Sequence, residues 1–205
     1  MPRPERRPSP PSSVSELAAL AKLFEEHRAR LLAMVRRRID PALAARFDPE
    51  EILAEAFLRS VDRWSDYDPE AMSTYTWLYR IVLDCVIEAW RKANAAGRSI
   101  QREVPWPERS SVQLGLGLVG STTSPSEAFA RAELRERITW AVQQLKPDDR
   151  EILGMRHFDD LSYQDAAAVL GISPDAAMQR YVRALRRLKL LWNKIEPRDQ
   201  PEPEP

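Results

Sequence analysis

Apolar residues recur at intervals of three and four along most of the chain, which is the period of a helix with one buried face. The first such stripe comprises Leu17, Leu20, Phe24, His27, Leu31 and Met34. Further helical stripes begin after Asp48, near Thr74, near Ser126 and after Pro147. Few stretches alternate apolar and polar residues, and glycine occurs only 6 times. The pattern therefore predicts an all-α protein.

Two stretches interrupt the helical pattern. Pro41 ends the first stripe, and we expect a short helix or turn from there to Phe47. The second stretch, residues 98–125, is rich in proline, glycine, serine and threonine and is too long for a packed loop. We therefore predict two small helical domains, 15–97 and 126–195, joined by a long flexible linker.

Both ends of the chain are predicted to be disordered. Residues 1–14 and 196–205 are rich in proline and in charged or small polar residues, so they cannot bury enough apolar surface to form a core. The N-terminus has no signal-peptide pattern, and no apolar run is long enough to span a membrane. We expect a cytoplasmic protein.

The C-terminal domain contains the pattern of two helices separated by a tight turn. Ser162 and Asp165 have the spacing of a capping box at the start of the first helix. Gly171 follows its last apolar residue, where a left-handed backbone suits glycine, and Ser173 caps the second helix. This is the pattern of a helix-turn-helix, which places its second helix in the DNA major groove. A helical hairpin with a solvated basic face is the alternative.

Charge is segregated along the chain, although 31 basic and 31 acidic residues leave no net charge. Residues 178–198 contain seven Arg or Lys and one acid, whereas residues 40–70 contain nine acids and three arginines. Two oppositely charged segments suggest two different partners. Simple solvation is the alternative explanation of the acidic segment.

The residue inventory argues against an enzyme. Cys85 is the only cysteine, which excludes an internal disulfide and a cysteine-rich metal site. The chain has two histidines and no glycine-rich loop that could cradle a phosphate. We therefore expect no catalytic residues, no metal and no cofactor.

Two parts of the chain together resemble a known family. The segments FDPEEILAEAFLRSVDRW and TYTWLYRIVLDCVIEAWRKA resemble region two of bacterial RNA polymerase sigma factors. The segment LKPDDREILGMRHFDDLSYQDAAAVLGISPDAAMQRYVRALRRL resembles their region four. With no region-three domain between them, the arrangement is similar to the extracytoplasmic-function group. The resemblance implies a subunit that binds core RNA polymerase, directs it to promoter DNA and promotes initiation. It also allows an anti-sigma factor as a partner.

The resemblance assigns three sets of site residues. Those for core polymerase are Glu51, Ile52, Leu53, Glu55 and Phe57. Those for the −10 element, read partly as an unwound strand, are Trp77, Tyr79, Arg80, Asp84, Arg91 and Lys92. Those for the double-stranded −35 element are Ser173, Met178, Gln179, Arg180, Arg183, Arg186 and Arg187.

Five positions depart from the family's usual residues: Ala54, Leu83, Asp84, Ala177 and Met178. A carboxylate at Asp84 is unfavourable beside DNA phosphates, and Met178 can make no charged contact with a phosphate or guanine. Two other functions therefore stay open. One is a stand-alone helix-turn-helix regulator, which core-polymerase binding would exclude. The other is a sigma-like interaction protein that sequesters a partner, which run-off transcription would exclude.

Overall fold

The computed structural model describes residues 9–39, 48–94, 107–119 and 128–195. These ranges contain helices and no strand, which confirms the all-α prediction. The helices are α1 Val14–Arg38, α2 Pro49–Asp62, α3 Thr74–Asn94, α4 Glu108–Val119, α5 Ala128–Gln143, α6 Pro147–His157, α7 Tyr163–Leu170 and α8 Pro174–Ile195, with a 3-10 turn at Trp64–Asp66. The turn predicted to end at Phe47 and the predicted boundaries near 97 and 126 lie outside the described residues.

Helices α1, α2 and α3 pack together as an N-terminal unit. Most of the predicted stripe on α1 faces inward, with Leu20 and Leu31 fully buried, but Leu17 at its start is exposed. Phe24 meets Phe57 of α2 edge to face, with ring centroids 5.2 Å apart. Helix α3 is buried around most of its circumference, and Leu78, in its second turn, is fully buried.

Helix α4 lies inside the segment that was predicted to be a flexible linker, so that prediction is wrong for Glu108–Val119. Leu114 and Ser111 are fully buried, and α4 packs mainly on α5. Gly115 approaches Ile138 so closely that a Cβ atom on it would lie 1.9 Å from Ile138 Cγ2. The glycine that suggested a loop thus permits close helix packing.

Helices α6, α7 and α8 contain the predicted helix-turn-helix. Ser162 Oγ accepts a hydrogen bond from the Asp165 amide at 3.0 Å, and Asp165 Oδ2 accepts one from the Ser162 amide at 3.3 Å. Gly171 has φ 66° and ψ 35°, the expected left-handed cap. Small buried side chains, Ala166 on α7 and Ala177 on α8, let the two helices cross closely.

Gly171 allows the cost of the left-handed backbone to be measured without a steric clash, because nothing lies within 4 Å of a Cβ atom built on it. Gly171→Ala should destabilise the protein by about 1–2 kcal/mol, purely through the left-handed backbone. Gly171→Asn is the matched control, since asparagine tolerates this conformation and should lose less. Urea unfolding of both variants measures the difference. Equal losses would show that steric crowding, rather than backbone conformation, sets the residue at this turn.

Candidate nucleic-acid interface

Helix α8 has one buried face and one exposed basic face. Ala177, Ala184 and Leu188 point into the core. The exposed side chains that were predicted to face DNA are Met178, Gln179, Arg183, Arg186 and Arg187. Arg180 is half-buried, and Ser173 Oγ accepts a hydrogen bond from the Ala176 amide at 3.2 Å, which fixes the start of the helix. The exposed side chains follow successive turns, as a helix lying in a major groove requires.

Two carboxylates at the start of α6 hold arginines of this face. Asp148 Oδ2 lies 3.4 Å from Arg180 Nη1. Asp149, only 3% exposed, accepts a hydrogen bond from Arg187. These ion pairs join residues more than thirty positions apart, so sequence periodicity could not reveal them. They offset part of the charge of two arginines and leave Arg183 and Arg186 as exposed cations.

The predicted −10 residues on α3 divide into buried and exposed sets. Trp77 is buried in an aromatic cluster, with ring centroids 5.0 Å from Tyr67 and 6.1 Å from Trp64. Tyr79 is fully buried and donates a hydrogen bond to Asp159 Oδ2 at 2.8 Å. Burial raises the pKa of Tyr79 well above its ordinary value. Trp77 and Tyr79 are thus buried in this conformation, and their contact with the −10 element stays a prediction.

The remaining α3 residues are accessible. Arg91, Lys92 and Asp84 are exposed, and Arg80 is half-buried. Arg63 Nη1 lies 3.9 Å from Asp84 Oδ2, so the unusual carboxylate has a nearby cation. Arg63 was not a predicted site residue. Its charge reduces the repulsion that Asp84 would otherwise exert on a phosphate.

Helix α2 presents an acidic stripe, which we define as Glu51, Glu55, Leu58 and Asp62. These residues lie four, three and four positions apart, so they share one face of the helix, and all four are exposed. Leu58 is 60% exposed. It was not among the residues that the family resemblance assigned to core polymerase.

The other predicted residues of α2 lie deeper. Ile52 and Leu53 are buried in the core and so support the helix rather than its surface, and Phe57 is half-buried. Arg59 donates hydrogen bonds to Glu55 at 2.8 Å and to Glu88 of α3 at 2.6 and 2.8 Å. The hydrogen bond from Arg59 lowers the pKa of Glu88. This network fixes the orientation of α2 on α3.

The described ranges contain no cluster of three or more His, Cys, Asp or Glu residues arranged to hold a metal ion. In the same ranges, no helix combines the length and the apolar character needed to cross a membrane.

Two family profiles match the chain. The profile "Sigma-70 region 2" matches residues 23–96, and "Sigma-70, region 4" matches residues 135–188. Together they span more than half of the 205 residues. The first match contains α2 and α3, and the second contains the helix-turn-helix.

Characterised sigma factors match the chain over most of their own length, which agrees with the two profiles. The RNA polymerase sigma-H factor of Pseudomonas aeruginosa is 26% identical over 162 residues, which is 79% of this chain and 80% of that protein. The RNA polymerase sigma factor CarQ of Myxococcus xanthus is 25% identical over 181 residues, 87% of this chain and 91% of that protein. The ECF RNA polymerase sigma-E factor of Escherichia coli K12 is 26% identical over 151 residues, 73% and 75% of the two chains.

A solved structure shares the fold. The structure of CnrH in complex with the cytosolic domain of CnrY matches with a TM-score of 0.53 at 21% identity, over 88% of this chain and 94% of that chain. The chain therefore belongs to the sigma-70 family of RNA polymerase sigma factors, in the extracytoplasmic-function group. It binds core RNA polymerase, directs it to promoters and promotes initiation, and it is an initiation factor rather than an enzyme.

Proposed function

We propose that three surfaces of this chain divide the work of promoter recognition in the bacterial cytoplasm. The exposed basic face of α8 reads the −35 element in the major groove. The exposed residues of α3 and the loop before it act at the −10 element. The acidic stripe of α2 docks on core RNA polymerase. In this proposal residues 15–97 form the domain that acts on core polymerase and the −10 element, and residues 126–195 form the domain that acts on the −35 element.

The observation that carries this proposal is the opposite charge of two exposed helix faces in one chain. On α8, Gln179 and Arg183 have the side chains that pair with adenine and guanine edges, and Ser173 fixes the end that enters a groove. On α2, the carboxylates of Glu55 and Asp62 flank the exposed Leu58. A carboxylate pair beside an apolar side chain is repelled by DNA but suits a basic protein surface.

The departures at Asp84 and Met178 affect specificity more than function in this proposal. Arg63, at the end of α2, offsets the negative charge of Asp84, so the carboxylate repels a nearby phosphate less. Met178 is 45% exposed at the start of α8 and can pack on a thymine methyl group.

An anti-sigma factor is a further proposed partner. The structural neighbour CnrH was solved with the cytosolic domain of CnrY bound to it.

Footprinting of the complex with core polymerase tests the assignment of surfaces. Core polymerase with this chain should protect both a −35 and a −10 region, and Arg183→Ala should weaken the −35 protection first. The matched control is Arg137→Ala on α5, which changes one arginine away from the proposed interface. Protection at the −35 region that is unaffected by Arg183→Ala but lost with Arg137→Ala would contradict the assignment of α8.

A further inference from the structure

The face of α3 assigned to the −10 element mixes cations with two carboxylates. Arg80, Asp84, Glu88 and Arg91 follow one another at intervals of four, four and three residues, so they share one face of the helix. Glu88 is engaged, because it accepts two hydrogen bonds from Arg59. Asp84 accepts none of these and is exposed beside cations that suit DNA phosphates. A carboxylate is repelled by phosphate, so Asp84 is better suited to a different part of the nucleic acid.

Arg63, which caps the C-terminal end of α2, lies beside Asp84 without closing on it. The Nη1 atom of Arg63 is 3.9 Å from Asp84 Oδ2, which is too far for a hydrogen bond. The Nε atom of Arg63 instead donates to Asp66 Oδ2 at 3.4 Å, which orients the guanidinium. The side chains of Arg63 and Asp84 are 40% and 58% exposed. A hydrogen-bond donor and an acceptor therefore lie side by side at the surface, and both are accessible to a third molecule.

A donor beside an acceptor matches the Watson–Crick edge of an unpaired guanine. This edge presents the O6 acceptor next to the N1–H and N2–H donors, so an arginine can donate to O6 while a carboxylate accepts from N1 and N2. The O6 and N2 atoms are about 4.5 Å apart, and hydrogen-bond partners that approach them head-on need a similar or slightly smaller spacing. The 3.9 Å between Arg63 Nη1 and Asp84 Oδ2 falls in that range.

The other bases fit this pair less well, because an ionised carboxylate can only accept hydrogen bonds. In adenine and cytosine the amino group lies beside a ring nitrogen that is itself an acceptor, and this nitrogen would repel the second carboxylate oxygen. Thymine has a single N–H donor between two carbonyl acceptors. In duplex DNA the Watson–Crick edges are covered by pairing, and guanine offers only acceptors in the major groove. The pair therefore favours guanine, and only in an unwound strand.

We propose that Arg63 and Asp84 together select one unpaired guanine in the −10 element. The proposal rests on the proposed function, which assigns α3 to that element. Arg63 donates to O6, and Asp84 accepts from N1 and N2. Arg63 lies outside the residues that the family resemblance assigned to the −10 element, and Asp84 departs from the family's usual residue. The base preference set by this pair is thus a property of this chain rather than of its family.

Selection from a pool of single-stranded DNA with a random central segment measures this preference. Strands retained by the full-length chain in complex with core RNA polymerase are sequenced. The parent chain should enrich guanine at one position about tenfold over the other bases. Asp84→Asn should lose that preference and enrich adenine or cytosine instead, because an amide both donates and accepts. Arg63→Ala should weaken the preference for guanine without replacing it by another base, because it removes only the contact with O6.

Two matched variants and three base analogues identify the contact. Glu26→Gln and Lys22→Ala remove the same charges at exposed positions of α1 and should keep the guanine preference. In the selected strand, 7-deazaguanine keeps the Watson–Crick edge and should bind as guanine does. Hypoxanthine lacks the N2 amine, and 2-aminopurine lacks both O6 and N1–H, so each should bind more weakly. The loss caused by hypoxanthine should be smaller in Asp84→Asn, because the carboxylate that contacts N2 is already gone.

Three results would overturn the proposal. A guanine preference that persists unchanged in Asp84→Asn would show that another group reads the base. Sensitivity to 7-deazaguanine with indifference to hypoxanthine would show that the opposite edge of the base is read. Retention of single strands with no preference for guanine would refute the pair alone. If the complex of the chain with core polymerase retained no single-stranded DNA at all, the assignment of α3 to the −10 element would fail together with the pair.

Discussion

Reversing two charges on the acidic stripe, in the variant Glu51→Lys/Glu55→Lys, is expected to weaken binding to core RNA polymerase by about a hundredfold, or about 3 kcal/mol. Both carboxylates are exposed on one face of α2. Placing like charges opposite each other at an interface costs several kcal/mol, so lysines facing a basic partner should be strongly unfavourable. The fold should survive, because Arg59 retains its two hydrogen bonds to Glu88 when Glu55 is changed.

The matched control for this variant lies on α1. Glu25→Lys/Glu26→Lys makes the same change in net charge at exposed residues of the same unit. Binding of each chain to immobilised core polymerase gives the comparison. Leu58→Ala alone should cause a smaller loss of affinity for core polymerase, because it removes an exposed apolar side chain from the stripe. If the two charge variants lose affinity equally, overall charge rather than the α2 surface governs binding, and the proposed docking face is wrong.

Replacing Arg183 with alanine is expected to cost about 1–3 kcal/mol of binding to the −35 element and to relax the preference at one or two base pairs. Arg183 is exposed near the middle of α8 and could reach a guanine edge. Arg186 lies nearly one turn further along the helix and is also exposed. Arg186→Ala should weaken binding to all sequences and reduce the salt dependence by about one unit of slope.

Arg187 provides an internal comparison for the salt dependence. Its guanidinium is paired with the buried carboxylate of Asp149, so its charge is already partly offset. Arg187→Ala should therefore change the salt slope less than Arg186→Ala. The measurement is binding to single-base variants of the −35 element at several salt concentrations, with the full-length chain in complex with core polymerase. A uniform loss of affinity in Arg183→Ala, with base preferences intact, would make Arg183 a phosphate contact.

Local chemistry made the helix-turn-helix predictable from the sequence. The capping box of Ser162 and Asp165 and the left-handed Gly171 depend on residues within a few positions of one another. The buried stripes of α1 and α3 likewise follow from helical period. Family resemblance then supplied what periodicity could not, namely the proposal of which exposed faces meet DNA and which meet polymerase.

Tertiary contacts account for the features that the sequence did not reveal. Helix α4 has the composition of a loop, and it is held as a helix by packing of Leu114 and by the close approach of Gly115 to Ile138. Tyr79 donates a hydrogen bond to Asp159, eighty residues later, and no periodicity of the sequence indicates this pairing. Such pairings depend on how the two units meet, which no local pattern records.

Transcription in vitro from bacterial genomic fragments, with core RNA polymerase and this chain as the only added initiation factor, tests the central claim most directly. The account predicts a limited set of start sites that appear only when the chain is present and that share sequences near −35 and −10. Arg183→Ala should redistribute those start sites, and Glu51→Lys/Glu55→Lys should abolish them at limiting concentration. Start sites that do not depend on the chain, from a core enzyme that responds normally to another sigma factor, would contradict the account.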